Sequence, residues 1–215
     1  VVRVVLLLMM WATSVGAGPW PRGAGQQFLS FSVTSDGGAP GVAGYGEHGL
    51  TDRMTLVFSA SRTRGGPPRA MVSIARDLWP DRAWRHGWAL GLGLHDGDAA
   101  ARGALAIGRG VRIMGLDGWI SGETEVIGTA TAIETRAEAT LGVTTGGALK
   151  LWTQLSVTGD MQIRPLLAPA RLTEVRAGLG AALPVGATTW VTLKASQGLD
   201  RGGTARISLG IWAEF

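Results

Sequence analysis

The chain of 215 residues has no cysteine and a single tyrosine, and only 17% of it is charged. Absence of cysteine fits a cytosolic protein and an exported one that avoids thiol oxidation equally, so the redox compartment has to be read from other features. No run of lysine and arginine occurs. Despite a formal net charge of +4, the basic residues stand singly, which excludes the clustered cations that phosphate tracking needs and, with them, nucleic acid as a partner. Beyond the N-terminus no apolar stretch approaches the roughly 20 residues of a membrane-spanning helix. Helix is disfavoured generally, because 34 residues are glycine and each costs about 1 kcal/mol in a helix relative to alanine. With 46% apolar content the chain can still bury a substantial core, and one domain is the natural reading of its length.

Arg3 precedes an apolar run from Val4 to Trp11, and small residues follow at Ser14, Gly16, Ala17 and Gly18. That order of charge, apolar run and small residues is that of a secretory signal peptide, and the run is too short for a spanning helix. Cleavage is expected after Ala17, which makes residues 1–17 a signal peptide and residues 18–215 the mature domain.

The mature chain is dominated by a period of two. Ala205, Ile207, Leu209, Ile211, Ala213 and Phe215 alternate with polar or small residues and Trp212, and similar alternation recurs around Val191, Val175, Leu151 and Ala137. Period two means strands. A soluble sandwich and a membrane barrel both alternate, but these segments run to about 9–11 residues, the length a tilted strand needs to cross hydrocarbon, whereas sandwich strands average nearer 5–6. The other face mixes both charge signs with small residues, as a lumen would. An all-β antiparallel transmembrane β-barrel is therefore expected, with strands near 26–35, 42–50, 53–61, 69–77, 84–95, 102–110, 116–126, 133–144, 148–158, 172–183, 188–197 and 203–215. That makes about twelve, and the stretch 99–131, where Arg109 breaks the apolar face, leaves the number between ten and fourteen. An even number returns the C-terminus to the periplasm. Tight periplasmic turns are expected at Thr51–Asp52, Trp79–Asp81, Gly146–Gly147 and Pro184–Ala187, and outer loops at Ser35–Gly41, Thr63–Pro68, His95–Ala99, Gly159–Arg171 and Gly198–Gly203.

The segment Tyr45–Leu56, YGEHGLTDRMTL, resembles the hairpin of small proteobacterial outer-membrane barrels, in which a Tyr/Glu-bearing strand, a Gly-Leu-Thr-Asp turn and an Arg-started strand recur. Some members of that group are named for aromatic-degradation pathways. His48 stands where an aromatic is commoner. The terminal Phe215 likewise resembles the C-terminal aromatic signature of bacterial outer-membrane barrels. The resemblance covers most of the mature chain by pattern and this hairpin by letters. It implies a porin-like or transporter-like barrel in the outer membrane of a Gram-negative cell, surrounded by outer-membrane lipid and lipopolysaccharide. It also implies delivery through the barrel-assembly machinery by the C-terminal strand.

Parity places Arg53, Arg69, Arg85, Glu123, Glu125, Glu134, Arg136, Glu138, Lys150, Glu174, Arg176, Lys194, Arg206 and Glu214 in the lumen, where opposite charges on neighbouring strands should pair. Trp20, Trp84 and Trp88 read as an interfacial girdle near the periplasmic strand ends. Alternation turns Trp119, Trp152, Trp190 and Trp212 inward, so these four are expected to narrow the periplasmic mouth. Two functions fit: a porin-like channel for small solutes, or a structural or interaction barrel with an occluded lumen. A lipid-modifying enzyme would need His95, near an outer loop, as a base, but no neighbouring strand offers it a partnered serine. No histidine pair has zinc-ligand spacing, and Asp96-Gly97-Asp98 is too short for a calcium loop. No catalytic residue, metal or cofactor is therefore expected.

Overall fold

The computed structural model describes residues 22–37, 39–79, 83–145, 148–162 and 171–215. The signal peptide, Trp20, Pro80–Asp81 and Gly146–Gly147 lie outside the described residues. The chain forms twelve strands: β1 (Gln27–Asp36), β2 (Ala39–Thr51), β3 (Met54–Thr63), β4 (Arg69–Asp77), β5 (Arg85–His95), β6 (Asp98–Ile113), β7 (Leu116–Gly128), β8 (Ala132–Thr144), β9 (Lys150–Gln162), β10 (Arg171–Pro184), β11 (Thr189–Gly198) and β12 (Ala205–Glu214). Each pairs antiparallel with its neighbours in sequence, and β1 closes on β12 to complete the barrel. Gln27 and Phe215 exchange both backbone hydrogen bonds, at 2.9 and 3.0 Å, so the last rung is sealed and both ends of the barrel chain lie at one rim. We call this the terminal end and the other the loop end. Closure matters because an open edge would leave a row of unpaired N–H and C=O groups, each costing several kcal/mol in hydrocarbon, on the order of a lost hydrogen bond with no water to replace it.

The strands tilt. A row of paired residues that starts at Phe28, at the terminal end of β1, runs through Glu47, Val57, Ser73, Gly91, Arg102, Ile127 and Glu134 to Asp160, at the loop end of β9. Rows therefore climb towards the loop end from β1 to β9, as the shear of a closed barrel requires.

Burial is inverted relative to a water-soluble fold. Leu92 is 72% exposed, and Leu105, Leu179 and Leu209 on other strands also point outward, whereas Thr55 (2%), Ser73 (3%) and Lys150 (3%) are buried on the inner face. An apolar belt this continuous is far larger than the patches soluble monomers expose, and its medium is hydrocarbon.

Most strand boundaries fall within three residues of the expected ones; β9 runs on to Gln162, four residues beyond, and β6 departs more instructively. β6 starts at Asp98 rather than 102 and ends at Ile113. The loop expected over His95–Ala99 is a two-residue turn, Asp96–Gly97, with φ of 54° and 90°, the pair of positive values that a type I′ hairpin requires. A second such turn, Met114–Gly115 (φ 51° and 83°), joins β6 to β7. Its methionine gave no turn signal, which is why the strand end was blurred in the sequence. Arg109 lies on the outward face close to the terminal end, with its guanidinium 5.7 Å from the Trp84 ring centroid. It marks a membrane interface rather than an interruption of the strand.

Leu179, midway along β10 and 66% exposed, tests the medium directly. Leu179→Arg should lower unfolding free energy by about 2–4 kcal/mol in lipid or detergent. An exposed leucine facing water would change by no more than about 0.5 kcal/mol, and a denaturant titration of the refolded barrel separates the two.

Candidate functional site

Side chains alternate across the wall, so pairing carries the inward face from strand to strand and sorts the inward charges into three levels. At the loop end, Arg69 on β4 donates to both Asp96 oxygens at 2.8 and 3.0 Å and lies 3.9 Å from Glu134. His95 Nε2 is 3.2 Å from Glu134 and 3.7 Å from Asp96. Since β5 and β8 are separated by β6 and β7, the His95–Glu134 contact bridges non-adjacent strands. The Arg69 hydrogen bond holds the Asp96 carboxyl below its usual range, so this pairing is present above that range and is lost as pH falls through the lowered value. On the opposite wall Arg206 and Thr204 both donate to Asp36. Arg176, 6% exposed, donates to Glu174 at 3.0 Å and to the Thr204 carbonyl at 3.0 Å.

At mid-depth, Arg102 on β6 joins two carboxylates of β7, Glu125 at 2.7 Å and Glu123 at 2.9 Å, and Arg136 donates to Glu138 at 2.5 Å. Lys194 faces inward from β11, in register with Gly180 and Ser208. At the terminal end, Arg22 donates to Glu47, which also accepts the Tyr45 hydroxyl at 2.5 Å. Arg22 also lies 3.8 Å from Glu214, and its guanidinium sits 4.7 Å from the Phe28 ring centroid. Arg85, at the start of β5, is 3.8 Å from Asp77. Arg53 departs from the expected set: it sits in the β2–β3 turn, exposed at the terminal rim, because β3 begins only at Met54.

Aromatic residues explain two of the inward glycines, Gly142 and Gly180. Gly110, Trp119, Gly142, Trp152 and Gly180 form one paired row across β6 to β10. A Cβ on Gly142 would fall 2.1 Å from the Trp119 ring, and one on Gly180 would fall 2.1 Å from Trp152. Each indole lies flat on the glycine of the next strand, and any other residue there would lift it into the lumen. Trp152 also stacks on Trp212 (5.2 Å, 22°), although β10 and β11 intervene. Trp212 meets Phe28 edge-on at 6.0 Å, and Phe28 meets Tyr45 at 6.1 Å. Of the four tryptophans expected to narrow the mouth, Trp152 and Trp212 thus continue into an arc of rings. Trp119 and Trp190 are flattened against the wall at 5% and 7% exposure, with Lys150 Nζ 4.5 Å above the Trp190 ring. Among the described residues Lys150 Nζ and the Nε1 atoms of Trp119 and Trp190 are buried donors without an acceptor.

These groups enclose a chamber of about 520 Å³, lined by Arg22, Tyr45, Glu47, Arg102, Glu123 and Trp212 among others. Arg102 lies outside the set expected in the lumen although β6 carries it inward, and Arg22 acts from ahead of β1, where no strand pattern reaches. Phe28, Tyr45 and Glu47 were legible by parity but went unassigned. The approach of Arg22 depends on Gly49, where a Cβ would lie 2.0 Å from the Gly23 carbonyl oxygen, so the segment ahead of β1 crosses the inner face of β2 against bare backbone. Among the described residues no hydroxyl hydrogen-bonds to His95, and no group of three His, Cys, Asp or Glu side chains could hold a metal ion.

No protein-family model and no curated protein matches the chain. Among solved structures it is similar to the KdgM porin (TM-score 0.69, 7% identity, covering 87% of this chain and 99% of that one). It is similar also to the NanC porin (0.62, 7%, 86% and 98%) and to the COG4313 outer membrane channel from Pseudomonas putida F1 (0.59, 11%, 94% and 100%). At such identities the likeness is one of fold. The chain has the closed-barrel fold that these outer-membrane porins and channels share.

Gly142→Ala and Gly180→Ala should each cost about 1–3 kcal/mol, since overpacking displaces an indole, and should shift tryptophan emission. Gly44→Ala is the control, because nothing lies within 4 Å of its added Cβ. Equal, small effects at all three positions would show that the indoles do not rest on glycine.

Proposed function

We propose that this barrel is a porin-like channel that passes small solutes down a gradient, without covalent chemistry and with its terminal end towards the periplasm. The reading rests on the chamber of about 520 Å³, a size typical of small-molecule sites, which is left open and lined by charged groups such as Arg22, Glu47, Arg102 and Glu123 alongside aromatic and small residues. Ion pairing along the wall keeps the inward charges affordable while leaving them in contact with the lumen. The aromatic arc Tyr45–Phe28–Trp212–Trp152 adds an apolar surface beside the Arg22–Glu47 pair, which suits solutes with both a flat and a charged part. The exposed terminal residue Phe215 is proposed as the handle for the barrel-assembly machinery, and outer-membrane lipid and lipopolysaccharide as the surroundings.

Purified protein in planar bilayers should show discrete openings. Lys194→Glu should move the reversal potential in a salt gradient towards cation preference, because it changes the wall by two charges at a position that carries no ion pair. One set of contacts favours an occluded structural barrel instead: His95–Glu134 at the loop end and Trp152–Trp212 nearer the terminal end both reach across intervening strands. A silent bilayer after insertion has been confirmed by a heat-modifiable gel band would select that reading.

A further inference from the structure

The outward face is not uniform around the barrel. On the described strands its only arginines are Arg62 near the loop end and Arg76 and Arg109 towards the terminal end, and no aspartate or glutamate shares that face. Arg76 is paired in register with Trp88, and Arg109 packs over Trp84. Trp79 meets His86 edge-on at 5.1 Å. These tryptophans lie within β5 and the connection that precedes it, whereas Trp119, Trp152, Trp190 and Trp212 face inward. An anchoring girdle would be a ring; this is a patch in one sector.

An apolar groove of about 500 Å³ leads away from the patch. It follows the paired row His86, Ile107, Gly122, Ala139 and Leu155 across β5 to β9. Gly122, Thr124, Ala137 and Ala139, the small residues of β7 and β8, line its middle, with Leu105 and Ile107 of β6 towards the patch and Leu155 and Val157 of β9 at the far end. Because the rows climb towards the loop end, the groove rises from the terminal rim into the apolar belt. With strands about 4.8 Å apart and tilted by about 40°, the rise is about 3 Å per strand. A cationic and aromatic head at the interface joined to an apolar channel climbing into the hydrocarbon has the shape and polarity of one lipid molecule.

We propose that this face binds a phospholipid of the leaflet at the terminal end, with its anionic headgroup between Arg76 and Arg109 and one acyl chain in the groove. The choice of a phospholipid rests on the periplasmic orientation proposed above and not on conduction. Among the described residues no carboxylate shares the face of these cations, and an anionic lipid headgroup would supply the complementary charge.

The test is native mass spectrometry of the intact barrel in detergent, with phosphatidylglycerol and phosphatidylcholine offered separately. Conductance and orientation play no part there, so failure of this proposal and failure of the channel reading are distinct results. One phosphatidylglycerol should be retained in preference to phosphatidylcholine. Affinity should fall about 30-fold in the Arg76→Ala/Arg109→Ala double variant, at roughly fivefold for each arginine, and should recover when both are lysine. Ala139→Phe, which fills the middle of the groove but keeps the charges, should also lose the lipid, and a heat-modifiable gel checks the fold of every variant. Equal retention of the two lipids would overturn the proposal, as would undiminished binding in the double variant. A dimer abolished by Ala139→Phe would overturn it too, and would assign the groove to a second copy.

Discussion

The structure depends on one constraint: a backbone that lies in hydrocarbon must satisfy its own hydrogen bonds. A sheet can do so only by closing, and the β1–β12 ladder, which ends in the two bonds between Gln27 and Phe215, closes this one. Once closed, the period-two alternation has nowhere to put its apolar side chains except outward, and the charged ones are forced into a common interior. Inversion of burial, pairing of inward charges and the need for bare glycine on the crowded inner face all follow from that closure.

The same logic explains what could be read in advance. Alternation survives in the sequence wherever both faces keep their chemistry, as in β12, β10 and β8, and there the fold was plain. It failed between β5 and β7, where a tight turn carries Met114 in place of a turn-forming residue and where an outward arginine interrupts the apolar face. Physically nothing is interrupted: near the interface an arginine can keep its charged head at the headgroup level and lay its stem along the wall. Inward positions were legible by parity alone. Which of them meet was not, because His95–Glu134 and Trp152–Trp212 join strands that are neighbours neither in sequence nor in the sheet. Arg22 was invisible to any strand pattern, since it acts from the segment ahead of β1.

The inner and outer faces use small residues differently. Inside, Gly142 and Gly180 are seats for indoles from the adjacent strand, so removing a side chain there flattens the wall and keeps space in the lumen. Outside, Gly122, Ala137 and Ala139 have no aromatic laid over them, and the depression stays open to the surroundings. The difference arises from the strand interval: the inward tryptophans of β7 and β9 each have a glycine one strand on, whereas the outward ones are gathered on β5 and beside it.

Fold alone does not assign an activity, since one barrel architecture hosts unrelated tasks. What narrows the reading here is how the interior charges are held. A barrel filled merely for stability would gain more from packed apolar side chains than from buried ion pairs, whose desolvation consumes most of their attraction. Retaining Arg102 between two carboxylates, and leaving Lys150 with no acceptor above an indole, is hard to justify by stability. A wet lumen would account for both: water would serve the Lys150 ammonium, and the Arg102 cluster, already paired with two carboxylates, would be spared the full desolvation cost. On the channel reading proposed above, the polar interior serves passage through it, and the aromatic arc at its terminal end is where that passage would narrow.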